Sequence, residues 1–297
     1  MTRLRITNTS PSVMTRMLFD KLIMAEEQKT SPKSAYPRTR RDDCVCNICG
    51  QSVPKLSDDH VPPKGTFKPG TIRVHCYPES HQGEIHRIHI SHNGLKFRTI
   101  CSSCNNNLGS MYDVHLKSFL NQLSAVLSSP LILPNPLIIK GRPTAIIKAV
   151  MGHILAAKTG VCNGDADKAT RAYLFNEDAV LPNNIRLFCW YYPYGGTIIS
   201  TDRIDADLIN GGSVWYSVLK YYPLAFLLMS NGNGMSDPNV TELTKYNHDN
   251  EQEEIDLPIY LHEFSIDYPE GNAYNKHMAR LVYDGRTDIF TESIKTK

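Results

Sequence analysis

The chain has no long hydrophobic run. Its longest apolar stretch, Tyr221–Met229, contains Pro223 and is far shorter than the roughly 20 residues a bilayer-spanning helix needs. The opening residues, Met1-Thr-Arg-Leu-Arg-Ile6, are polar and lead into no apolar signal segment. There is no phosphate-binding loop and no dinucleotide-binding glycine motif, so any energy-coupled step requires a partner. Internal repeats and low-complexity tracts are missing as well. These absences argue against a membrane span, a repeat array and a nucleotide-driven motor, and the cytoplasm is the expected location.

What is present is the composition of a globular protein: 297 residues, 41% hydrophobic and 21% charged. The net charge of +2 conceals an asymmetry. Residues 1–130 hold 17 Lys+Arg against 10 Asp+Glu (+7), and residues 131–297 hold 15 against 20 (−5). The first part is therefore the basic one, and a basic patch there attracts phosphates in a salt-sensitive way.

Three regions are expected. Residues 1–43 comprise a helix over about 10–29, opened by Ser10-Pro11, and a Pro-containing linker made basic by Lys33, Arg38, Arg40 and Arg41. The linker reads more simply as a solvated connection than as a nucleic-acid arm. Residues 44–130 hold a cysteine segment and then a helix, whose apolar face is Leu108, Met111, Tyr112, His115, Leu116, Phe119, Leu123 and Val126. Residues 131–297 read as mixed α+β. Extended segments surround Pro134-Asn-Pro136, and a helix starts at Pro143 and ends near Gly160. Strands follow at Ile185–Tyr192, Thr197–Ser200 and Ser213–Leu219, and a last one at Ile259–Phe264. Residues 231–257 read as a polar loop, and the tail from 268 is weakly patterned.

Of the eight cysteines, four fall into two Cys-x-x-Cys pairs, Cys46/Cys49 and Cys101/Cys104. Each pair lets one tight turn place two thiolates on one ion, and four thiolates make a closed tetrahedral site for structural Zn²⁺. In a chain without a targeting segment this spacing favours metal over disulfides. Cys44 competes with Cys46 for a place, although Cys46 and Cys49 are better spaced. Cys162 and Cys189 read as buried small apolar residues.

Between the pairs stands Leu56-Ser-Asp-Asp-His-Val-Pro-Pro-Lys64, and Cys104 is followed at once by Asn105-Asn-Asn107. An Asp, a His and an Asn suit a hard catalytic cation rather than a soft one. This order resembles the HNH endonucleases, in particular the four-cysteine subgroup of the His-Me-finger (ββα-metal) fold. The resemblance covers residues 44–113.

The resemblance implies that His60 is the general base activating a water, and that Asp59 and Asn105 hold one Mg²⁺ or Mn²⁺. It implies a hairpin containing Asp59 and His60, with the helix after the second Cys pair bringing Asn105 beneath it. The chemistry agrees. Phosphodiester hydrolysis needs a base that titrates near neutrality and a cation to offset charge on phosphate and leaving oxygen. Asp58 is an alternative ligand or an orienting group for His60. Lys64, Lys68, Arg73, Lys96 and Arg98 are expected to face nucleic-acid phosphates.

Two departures from the family pattern stand out. The middle Asn of HNH has no clean match: Asn93 is nearest in type, and Lys96 and Arg98 lie nearer the place. Residues 65–92 are also long for a hairpin loop, and contain His75, His81, His86, His89 and His92 beside Cys76. These have the makings of a second metal site, but a polar insertion with a strand over Glu84–Ile90 is the plainer reading.

The expected fold is thus α+β: a zinc-stapled ββα-metal nuclease module with an N-terminal helix and a mixed α+β C-terminal domain. The expected function is metal-dependent cleavage of nucleic acid, DNA first. The rivals are a non-catalytic zinc module that binds nucleic acid and an RNase acting on structured RNA such as tRNA. The family resemblance further implies anti-phage defence or restriction, beside a partner ATPase or sensor, and residues 131–297 are expected to regulate or to dock that partner.

Overall fold

Strands β6 (Ile185–Tyr191), β8 (Ser213–Tyr221) and β9 (Leu224–Ser230) lie together inside a large antiparallel sheet. In this computed structural model, residues 44–66, 70–76, 87–160, 163–176, 179–207, 213–230, 237–247, 253–269, 278–281 and 288–294 are described. The helix expected over 10–29, the basic linker, Lys68, His81, His86 and Cys162 lie outside them.

Strand β6 explains why these strands read so clearly. Successive side chains point to opposite faces, and here both faces are covered. Ile185, Leu187 and Cys189 face one core, while Phe188 and Trp190 face another, closed by Phe264 and Tyr268. Trp190 meets Tyr268 edge-on at 5.4 Å and Phe264 stacks on Tyr268 at 3.9 Å. Strand β9 is buried at every position, so the apolar run from Tyr221 to Met229 is a strand turn and a two-sided strand rather than a membrane segment. Among the described residues no helix is long and apolar enough to cross a membrane.

The sheet continues through β7 (Ile198–Asp207) and β13 (Asp288–Ser293) to β2 (Ile72–Cys76) and the edge strand β3 (Arg87–Ser91). Strand β12 (Met278–Leu281) also pairs with β7, and β10 (Thr241–Glu242) forms the opposite edge. The long segment after His60 is therefore no simple loop, because it supplies two strands to a sheet built mainly by residues beyond 184. Two ribbons stand apart from the sheet. One pairs β1 (Ser57–His60) with β4 (Lys96–Ile100), and the other pairs β5 (Leu137–Gly141) with β11 (Ile255–Ile259). The expected strand at Ile259–Phe264 is displaced. The paired segment is Ile255–Ile259, because Leu257 and Ile259 pack into the core, and the residues after it run irregularly to lay Phe264 on the sheet.

The helix after Cys101 runs as α1 (Ser102–Asn107), a π-helical segment (Leu108–Asp113) and α2 (Val114–Leu127). It ends beside Ser128, as the sequence indicates. The helix α3 (Pro143–Ala157) opens on its proline, and α4 (Asp165–Leu174) follows. All fifteen residues of α3 are buried, which makes it the internal axle of the molecule, packed among β4, the π-helical segment, α2, α4 and the sheet. Its polar residues carry partners, as burial demands. Thr144 Oγ1 bonds Asn247 Oδ1 at 3.0 Å, and Lys148 Nζ bonds the Asn176 carbonyl at 3.3 Å while standing over the Tyr173 ring. One apolar cluster runs from Cys46 through α3 to Ile289.

Gly152 permits a close crossing in this core. A Cβ there would lie 2.4 Å from Leu108 Cδ2, and Leu108 is itself fully buried. Gly152→Ala is expected to destabilise the protein by about 1–3 kcal/mol through overpacking, read as a lower denaturant midpoint at unchanged slope.

Candidate metal centre and catalytic cleft

The first Cys pair sits on a knuckle. Val45 bridges Ser52, Cys46 N–H donates to the Gln51 carbonyl (2.9 Å), and Gly50 N–H donates back to the Cys46 carbonyl (2.8 Å). The turn requires a left-handed residue, and Gly50 supplies it at φ +69°. The second pair straddles the end of β4 and the first turn of α1, where Cys101 is the N-cap. The four sulfurs of Cys46, Cys49, Cys101 and Cys104 lie within 4.8 Å of one another. Backbone N–H groups of Cys101 and Cys49 point at Cys46 Sγ, at 3.2 and 3.5 Å, and that of Cys104 points at Cys101 Sγ at 3.5 Å.

This donor set fits a soft cation. The sulfurs compete for charge: a hydrogen bond from Cys104 holds the Cys46 thiol well below its usual range, and that same bond pushes Cys104 up, while burial raises Cys49. A divalent metal such as zinc stabilises all four as thiolates and removes the conflict. Cys44 stands outside the group and Cys189 is buried in β6, where burial pushes its thiol up. Among the described residues no other metal-ligand cluster forms. His75 is buried beside Phe290 and Glu292, and His92 bonds Thr71.

The knuckle also grips α3. Asn47 Nδ2 donates to the carbonyls of Leu155 (2.9 Å) and Lys158 (2.7 Å), and Thr99 Oγ1 donates to that of Ala156. These carbonyls belong to the helix end, where intrahelical partners run out. The cysteine cluster and the axle of the core are thereby mechanically joined.

Beside the cluster, β1 pairs antiparallel with β4, and a bulge between Ser57 and Asp59 shifts the register. Alternation along β1 separates the two aspartates. Asp58 faces outward and takes a two-point bond from Arg98, Nε at 2.7 Å and Nη2 at 3.0 Å, which lowers its pKa. Asp59 faces inward and is only 4% exposed. Of the two, Asp59 is therefore the inward carboxylate. Arg98 is committed to Asp58 in this arrangement, and Arg73 pairs with Glu292 on the large sheet.

Asn105 comes beneath the ribbon from α1. Its Nδ2 donates to Ser57 Oγ (3.1 Å) and to the Asp58 carbonyl (3.0 Å). Two acceptors around the nitrogen fix the amide orientation and leave Oδ1 for another ligand. Asp59, His60, Asn105, Asp113, Lys64 and Lys117 line one cleft of about 320 Å³. His60 and Lys64 also border a larger cavity of about 510 Å³, together with Lys96, the strand partner of His60, and Asn93. His60 thus stands at the junction of two openings. Its pKa is lowered, first by partial burial and then by Lys96 and Lys64, against the upward pull of Asp59 and of the Asn93 backbone. Asn93 therefore meets His60 through its main chain.

Three residues of this site escape a sequence reading. Asp113 and Lys117 continue from Asn105 and Gly109 a stripe at four-residue spacing on the cleft wall. That spacing drifts about 40° per step around a regular α-helix, and the wider π-turn at Leu108–Asp113 offsets the drift. The third is His153, on α3. It is 1% exposed, with Nδ1 at 3.0 Å from Asp59 Oδ2 and Nε2 at 2.8 Å from Asp113 Oδ1. Burial disfavours its charge, but Asp113 and Asp59 outweigh burial and hold the imidazole well above the usual histidine range. The one available signal is a histidine in the otherwise apolar run Val150-Met-Gly-His-Ile-Leu-Ala-Ala157. No protein-family model, no curated protein and no solved structure matches this chain.

Proposed function

We propose that the protein is a metal-dependent endonuclease of the HNH type that hydrolyses phosphodiester bonds, with duplex DNA as its first substrate. The observation that carries this reading is the convergence of Asp59, His60 and Asn105 on one cleft beside four clustered cysteines. The antiparallel β1–β4 ribbon followed by a helix from Ser102 supports it.

Each residue has a task. His60 accepts a proton from the attacking water. Partial burial, Lys96 and Lys64 favour the neutral imidazole, which is the form a base needs, and the Asn93 backbone orients the ring. Asp59 and Asn105 offer one carboxylate and one amide oxygen, a donor set for a hard cation such as Mg²⁺ or Mn²⁺ that leaves room for phosphate and water. Such a cation, when bound, neutralises charge on the scissile phosphate and the leaving oxygen. Lys64, Lys96 and Lys117 border the two openings and draw a phosphate chain past His60. The four cysteines hold structural zinc.

The test is a cleavage panel with the purified chain on plasmid, single-stranded DNA and tRNA, with Mg²⁺ or Mn²⁺. Metal-dependent nicking of plasmid is expected, and Asn105→Ala should lower it by about 100-fold through loss of a cation ligand. Preferential cutting of tRNA would move the assignment to an RNase. Salt-sensitive binding with no cleavage under any metal would replace it with a non-catalytic zinc module.

A further inference from the structure

We infer that His153 is a positioning residue for the cation site: clamped between Asp113 and Asp59, it fixes the Asp59 carboxylate in the orientation that serves the cleft. The inference rests on the assignment of Asp59 as a cation ligand. His153 lies 94 positions from Asp59 in sequence, on a helix that the cysteine module does not contain.

Three observations carry it. Both ring nitrogens of His153 are engaged, one by Asp59 Oδ2 and the other by Asp113 Oδ1, so neither the rotamer nor the ring flip is free. With Oδ2 occupied, Asp59 can turn only its second oxygen to a cation. Groups behind a metal ligand act in this way, by setting its orientation.

The mount is rigid as well. His153 sits in α3, which is buried throughout and is held at its C-terminal end by Asn47 and Thr99, the neighbours of Cys46 and Cys101. A helix pinned there within two turns of His153 cannot slide without breaking contact with the cysteine knuckle.

The third observation is the close crossing at Gly152, beside His153. It lets Leu108 press against the helix and so brings the π-helical segment near enough for Asp113 to reach Nε2. Asp113 lines the same cleft as Asp59 and Asn105, but its contact to His153 assigns it to the support of the site. The cation site is thus completed by residues on both sides of residue 130, and residues 131–297 contribute to its geometry directly.

The test uses the full chain and reads cation binding without nucleic acid. Mn²⁺ affinity is measured by electron paramagnetic resonance for the wild type, Asp59→Asn, His153→Gln and Asp113→Asn. Both His153→Gln and Asp113→Asn are expected to weaken Mn²⁺ binding by about tenfold or more, as loss of a group behind a metal ligand does. The rate at saturating Mn²⁺ should fall much less, which is a split that general loosening of the core would not produce.

Asp113→Asn leaves the Asp59–His153 contact and the buried helix in place, and so carries the test where His153→Gln lowers stability. In ¹⁵N-histidine-labelled protein, Mg²⁺ is expected to shift the His153 ring signals in the wild type and not in Asp59→Asn. Wild-type Mn²⁺ affinity in both His153→Gln and Asp113→Asn, with affinity lost in Asp59→Asn, would overturn the inference. A chain that binds Mn²⁺ in this pattern but cuts no nucleic acid would overturn the nuclease assignment alone. A wild-type chain that binds no Mn²⁺ would overturn both.

Discussion

His60→Ala will lower plasmid cleavage by about 10²–10⁴-fold, the usual worth of a positioned general base, while leaving the melting curve and the zinc content unchanged. The reason lies in how β1 divides its work. Asp59 points into the core and anchors the strand through His153, whereas His60, the next residue, is half-buried and borders both openings. Truncating His60 removes no packed apolar contact of the kind that costs several kcal/mol. Asp59 and Asn105 remain, so Mn²⁺ affinity should stay within the wild-type range. The combination of intact fold, intact cation binding and lost turnover separates a missing base from a damaged site. Added imidazole is expected to restore part of the rate by entering the space left beside Lys64 and Lys96. Undiminished cleavage in this variant would remove His60 from the mechanism.

The parts of this architecture that can be read in the sequence are those set by local chemistry. The two Cys-x-x-Cys pairs cluster because each needs only a tight turn, and Gly50 supplies one of them. Asp59 and His60 share a short strand, and Asn105 follows Cys104 directly, so a ribbon and a helix joined at the cysteine cluster bring them together. The central strands announce themselves because both faces are buried and the apolar residues run continuously. What cannot be read depends on distant partners. Nothing near Ile72-Arg-Val-His-Cys76 says that it pairs with residues 289–293, and β13 buries only alternate positions, too little to stand out. His153 is hidden for a related reason. A single polar residue in an apolar helix signals a buried partner but does not name it, and Asp59 approaches from another element. Asp113 is displaced by a π-turn that a 3.6-residue pattern does not anticipate.

The largest structural effect will come from losing the metal. One zinc per chain is expected by elemental analysis, and either strong chelation or Cys104→Ser will lower the melting temperature by about 10 °C or more. Binding of structural zinc is worth about 10–16 kcal/mol in zinc-finger peptides, and that binding energy is folding energy. Each kcal/mol moves the midpoint of a chain somewhat smaller than this by about 2–4 °C, so even a fraction of it suffices. The damage should not stay at the knuckle. Three of the four sulfurs are buried, and without a metal they cannot all carry charge, so the pairs separate. Asn47 then loses the turn that aims its amide at the Leu155 and Lys158 carbonyls. Thr99 lies two residues before Cys101 and moves with it, releasing Ala156. Freed carbonyls at a buried helix end are costly, and α3 is buried along its whole length. The zinc-free protein is therefore expected to gain fast hydrogen exchange at the C-terminal turns of α3 as well as in residues 44–53, and to bind Mn²⁺ more weakly because His153 is no longer held. Exchange confined to the knuckle, with α3 still protected, would show that the cysteine cluster and the cleft are independent.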